Sequence, residues 1–170
     1  MESLIRANIF FLDQAQRLLA NMDDQVYATQ SGKVFGASLG QHLRHCLDHY
    51  ASFLGGLSLM KIDYDHRERD EKLETSTEYA SGLMRGLKND LLELNDRDAA
   101  SEVLVKMDCG GGDQGWYQST LGRELQFLVS HTVHHFAMMT GMCQERGLAV
   151  ERGFGIAPST LRHRQLAKID

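Results

Sequence analysis

Residues 38–54 read SLGQHLRHCLDHYASFL. Ser38 is a favourable helix N-cap, because its short hydroxyl can take up a backbone N–H left over in the first turn. Beyond it Leu39, Leu43, Cys46, Tyr50 and Phe53 recur every three or four residues. That spacing places them on one face of a helix, which is predicted to run to about Leu54 and stop at Gly55 and Gly56. His42, His45 and His49 follow the same helical rhythm on the adjoining strip.

A second stretch of this kind is TLGRELQFLVSHTVHHFAMMTGMCQER, residues 120–146. Ser119 or Thr120 can cap it, and Gly147 ends it. Working outward, Leu4, Phe11, Ala15, Leu18 and Met22 mark a helix over about residues 2–22. Ala80, Leu83, Leu87, Leu91 and Leu94 mark another over 75–94, opened by Thr75 and Glu78 at capping-box spacing. Asp23 to Phe35 is polar and irregular, with Gly32 as a breaker. Residues 57–73 are too long and charged for a tight turn and read as a crossover or a site-covering loop. Val103–Met107 and Trp116–Gln118 flank Gly110, Gly111 and Gly112 and suggest a short hairpin before the last long helix. In the tail, residues 148–170, FGIAPSTLR (154–162) is apolar and then polar, as expected of a segment folding back over a bundle end. The fold class predicted is all-α, a four-helix bundle with one long crossover, in a single domain over residues 1–170.

The balance of charges excludes some functions. A net charge of −5 gives no basic surface for tracking phosphates, and Arg162, His163 and Arg164 are too short a run to supply one. No nucleic-acid partner is expected. No apolar stretch approaches the roughly 20 residues a membrane helix needs, so no membrane partner is expected either. Cys46, Cys109 and Cys143 are odd in number and lack CxxC spacing. They read as reduced thiols, consistent with the cytoplasm.

The histidines carry the chemistry. Six of the eight lie in two helices: His42, His45 and His49 in one, His131, His134 and His135 in the other. His131 and His135 form an HxxxH pair, whose side chains stack about 6 Å apart on one helix face. Two imidazoles at that separation can share an ion at about 2.0–2.1 Å per bond. Leu128, Met138 and Met142 continue their stripe, which points the pair inward. A buried imidazole pair needs a partner, because an unpaired polar group inside a protein costs several kcal/mol. His45, in the middle of the other cluster, is best placed to complete the set; His42 and His49 stand one turn to either side as alternative or assisting ligands. His134 points about 60° away from His131, and His66 and His163 lie outside the helices. Asp48 is either an acceptor that orients an imidazole or a solvated surface residue.

SLGQHLRHCLDHY (38–50) and ELQFLVSHTVHHFAM (124–138) resemble the metal-binding helices of the DinB-like superfamily. That resemblance implies a four-helix bundle with three histidine ligands, carried onto His45, His131 and His135, with Asp48 matching an Asp common after the first ligand. Its members include thiol S-transferases, thiol-dependent isomerases and a domain of sulfoxide synthases. Many follow the last ligand with an Arg-Gly-Gln-like run, where this chain has Phe136, Ala137 and Met138. The resemblance implies a divalent transition metal, such as zinc, nickel or iron, and a low-molecular-weight thiol as possible co-substrate. The function expected is that of a metal-dependent thiol S-transferase or hydrolase acting on a small-molecule substrate. The alternative is a non-catalytic metal- or ligand-binding module. His49, Asp48 and Asp65 are candidate bases, Arg67 is a candidate anion contact, and a homodimer is compatible with such bundles.

Overall fold

The computed structural model describes residues 1–30, 36–111 and 115–166. Helix α1, Glu2–Leu19, buries Ile5, Asn8, Leu12, Ala15 and Leu19, a run of alternating three- and four-residue steps. It stops short of Met22. Asp23 then caps a short helix α2, Asp24–Ala28, by accepting the Val26 N–H, so part of the stretch expected to be irregular is helical. The proposed breaker Gly32, like Phe35, lies outside the described residues. Helix α3, Leu39–Gly56, opens with a full capping box: the Ser38 hydroxyl accepts the Gln41 N–H, and the Gln41 side chain accepts the Ser38 N–H. It continues through Gly55 and Gly56; glycine at 56 serves close packing rather than termination, since a Cβ there would strike the backbone of Lys61 as the chain turns back.

That return is strand β1, Lys61–Asp63, followed by the short helix α4, Lys72–Thr75, and helix α5, Thr77–Leu92. Ser76, not Thr75, caps α5 by accepting the Tyr79 N–H; the Thr75 hydroxyl instead bonds back to the Glu71 carbonyl. Strands β2, Glu102–Lys106, and β3, Tyr117–Thr120, form the antiparallel hairpin. Gly112, one of the glycines expected between the strands, lies outside the described residues. β1 adds to β2 in parallel, a pairing that requires the long crossover through α4 and α5. Helix α6, Leu121–Glu145, follows β3 directly, with the Thr120 hydroxyl accepting the Arg123 N–H.

The four long helices close a bundle: α1 packs on α5 and α6, and α3 packs on α5 and α6. A polar knot fixes three of them in register inside the apolar core. The Asn8 amide donates to the carbonyls of Leu4 and Leu125, Tyr50 donates to Asn8, and Thr132 donates to Tyr50. Tyr50 and Thr132 are the sequence neighbours of His49 and His131. The satisfied network therefore sets α3 against α6 one residue from the histidines.

The tail docks on α6 one turn beyond Thr132. Phe154 is buried and stacks on Phe136, with ring centroids 4.6 Å apart. Gly155 lies against the Phe136 backbone at φ +68°, a place and a conformation that exclude a side chain. Helix α7, Pro158–Leu166, completes the described chain.

Gly40 gives the sharpest test of packing near the site. A Cβ there would collide with the Glu74 backbone in α4. Gly40→Ala is expected to cost about 1–3 kcal/mol by overpacking, read as a fall in the denaturation midpoint with the slope unchanged.

Candidate metal centre

The deepest stripe of α6 is Leu121, Leu125, Leu128, Thr132, Phe136, Met139 and Cys143. His131 and His135 sit one step off it and are partly buried, so the pair lines the flank of the core rather than its centre. Met138, placed with them on the inward stripe by spacing, is also only partly buried, and Met139 takes the core position instead. On α3 the same offset holds: Leu43, Cys46, Leu47 and Tyr50 fill the core, while His42 and His45 stand at its edge.

The two edges face each other. His45, His131 and His135 each offer a ring nitrogen, and these donor atoms lie within 4.8 Å of one another. Their ring centroids are 4.6–4.9 Å apart. The His131 Nε2 is buried with no hydrogen-bond partner among the described residues. Leaving such an atom unpaired costs on the order of 1–3 kcal/mol, which an ion at the centre of the three rings would relieve. The donors are all imidazoles, a set suited to zinc, nickel, iron or copper rather than to magnesium or calcium. Burial pulls the ring pKa values down, helped by the neighbouring histidines: to about 3 for His45, about 2 for His131 and about 4 for His135. The rings are therefore neutral near pH 7, the form that ligates.

The surrounding side chains hold these rings. The His49 Nδ1 donates to the His45 carbonyl at 2.8 Å, which leaves the lone pair on Nε2. Its ring lies 4.1 Å from that of His131 and stacks on Tyr64. The Tyr64 hydroxyl donates to Glu124, whose other oxygen accepts from Ser119. Phe127, one turn before His131, packs against its ring. The Nδ1 atoms of His42 and His135 are 3.0 Å apart. If His135 ligates through Nε2, its Nδ1–H donates to His42, which then serves as the acceptor that fixes its tautomer. His42→Phe is accordingly expected to weaken zinc binding about 10- to 100-fold. His134→Ala, beside the same ring but exposed, is expected to leave it unchanged; titration calorimetry compares them.

Asp48 does not orient an imidazole. It is buried and paired with Arg44, so it steadies the guanidinium that ties α3 to Glu74 of α4. Asp65, His66, His134 and His163 are exposed. Arg67 does reach the site: its Nη1 lies 2.9 Å from the His45 Nδ1. Sequence reasoning missed Tyr64 and Phe127. Phe127 and Glu124 share the helical spacing of His131 and could have been found from it; nothing local marks Tyr64, which the crossover brings in.

Residues 3–153 match the sequence model of the DinB family. A DinB-like protein from Bacillus cereus ATCC 10987 superposes with a TM-score of 0.64 at 19% identity, over 89% of this chain and 96% of that one. YfiT from Bacillus subtilis, described as a probable metal-dependent hydrolase with an unusual four-helix bundle topology, superposes with a TM-score of 0.65 at 16% identity, over 87% and 88% of the two chains. At those identities the likeness is one of fold. FK506-binding protein 5 of Rhizopus delemar is 33% identical over 105 residues, 60% of this chain. The match spans about a quarter (27%) of that longer protein.

Proposed function

Since the chain belongs to the DinB family, we propose that it is a metal-dependent enzyme, hydrolysing a small molecule at a centre made by His45, His131 and His135. The observation that carries this reading is the convergence of three neutral imidazoles on one point, with the His131 Nε2 buried and unpartnered. Three protein ligands leave positions open for water or substrate, the pattern of catalytic rather than structural sites. A bound divalent ion would polarise a substrate carbonyl or acidify a bound nucleophile.

The remaining work falls to side chains. His49 is the group best placed to take a proton, because its Nδ1 is committed to a backbone carbonyl and its Nε2 keeps a lone pair beside the His131 ring. Burial lowers its pKa, which keeps it in the basic form. Arg67 supplies positive charge for an anionic part of the substrate. The fold of YfiT and its description agree with hydrolysis without fixing the substrate.

A low-molecular-weight thiol is the competing nucleophile, since an ion on imidazoles favours a thiolate as it does hydroxide. Cys46, next to His45, is buried and its thiol pKa is raised, so the thiol of that reaction comes from a co-substrate. Elemental analysis of purified protein followed by turnover of ester, amide and haloalkane panels tests both. Metal-dependent turnover without added thiol supports hydrolysis, turnover only with thiol supports transfer, and protein without bound or bindable transition metal removes the reading.

A further inference from the structure

A neutral imidazole has one lone pair, on one of its two nitrogens, and a guanidinium has none. The contact of 2.9 Å between the Arg67 Nη1 and the His45 Nδ1 therefore has one polarity: Arg67 donates, the lone pair is on Nδ1 and the proton is on Nε2. Ligation of an ion by His45 is incompatible with that arrangement by either route. Through Nδ1, the ion takes the lone pair Arg67 now uses. Through Nε2, the proton has to sit on Nδ1, where it would point at a guanidinium N–H.

We propose that Arg67 and the metal ion are alternative occupants of His45, so that filling the centre releases the Arg67 guanidinium to hold a substrate oxyanion beside it. The Arg67 Nε is in addition buried with no partner among the described residues. Freed of His45, Nη1 joins Nη2 in the planar end-on fork that fits a carboxylate or a phosphate. Arg67 also lines a cleft of about 480 Å³ in which Lys61 and Arg69 are offset by Asp48, Asp63, Glu68 and Asp70, so the oxyanion contact falls to Arg67 itself. The consequence is reciprocal coupling: the ion strengthens anion binding at Arg67, and an anion there strengthens ion binding by the same factor. This inference rests on the centre assigned under the proposed function, and it concerns binding rather than turnover. Absence of hydrolysis or thiol transfer therefore leaves it standing, whereas absence of zinc binding overturns both.

The experiment is a zinc titration of the native chain, Arg67→Met and Arg69→Met. Losing a competing charge-assisted hydrogen bond tightens zinc binding by Arg67→Met about tenfold. Arg69→Met removes the same charge from the same loop without touching His45, and an exposed charge alone shifts affinity by less than about threefold. Equal effects of the two substitutions, or weaker binding by Arg67→Met, would overturn the proposal; the latter would mean that Arg67 supports the ligand. The native protein gives a second readout that does not depend on a variant folding. In nitrogen-15 spectra the Arg67 side-chain signals shift on addition of zinc, and signals that stay fixed overturn the release. Acetate and methyl phosphate, titrated against those signals, are expected to bind about tenfold more tightly with zinc present; whichever binds first identifies the oxyanion. Equal anion affinity with and without zinc overturns the coupling.

Discussion

His131→Ala is expected to weaken zinc binding by more than about 100-fold, a larger loss than removing a supporting residue produces. Of the three imidazoles it is the one with a buried, unpartnered nitrogen among the described residues, Nε2, whereas His45 and His135 each have a hydrogen-bond contact at Nδ1. Stability separates a loss of ligation from a loss of fold. With zinc at about 100 times its dissociation constant, ligation adds about 2.7 kcal/mol to the native protein, so a chelator should lower the native melting temperature and leave that of His131→Ala unmoved. In chelator the two proteins should melt close together. The substitution leaves a cavity, but it also removes a desolvated nitrogen that costs on the order of 1–3 kcal/mol, and the two effects oppose. A variant that binds zinc as the native chain does would place the ion elsewhere.

The same opposition explains how much of this site could be read before the fold was known. Helical spacing is a local property, so α3 and α6 were legible, as were the clustering of six histidines in them and the capping roles of Ser38 and Thr120. Spacing says which residues share a face. It does not say whether that face is the core or its flank, because an angular offset of one residue separates the two. His131 and His135 fall on the flank because Thr132 and Phe136 take the interior, and Thr132 does so through a hydroxyl that meets Tyr50. No periodicity rule anticipates a threonine there. Asp48 was misread in either of its two roles for a similar reason: its partner, Arg44, is one turn away, but its burial depends on α4, a single turn of helix inside a charged loop. Tyr64 and Arg67 enter from that loop, and their positions follow from the parallel pairing of β1 with β2, a contact between residues about 40 apart that no local pattern encodes.

His49→Gln is expected to lower kcat by about 10²–10⁴, the usual worth of a positioned proton acceptor, while zinc affinity changes by less than about threefold. The split follows from geometry. His49 is not one of the three side chains whose donor atoms converge, yet its ring lies 4.6 Å from His45 and 4.1 Å from His131. The Gln amide can still donate to the His45 carbonyl, so that the backbone contact survives. What it lacks is the basic lone pair on the far side. Asp48→Asn provides the contrast, since Asp48 is committed to Arg44 and leaves α3 and α4 less well tied when changed. Breaking a largely buried pair of that kind costs up to about 3–5 kcal/mol of stability and should spare kcat in the folded fraction. If His49→Gln instead lost zinc along with activity, His49 would be holding the ion and the assignment on α3 would move by one turn. If it kept full activity, the proton would be leaving by another route, and the hydrolytic reading would lose its assigned base.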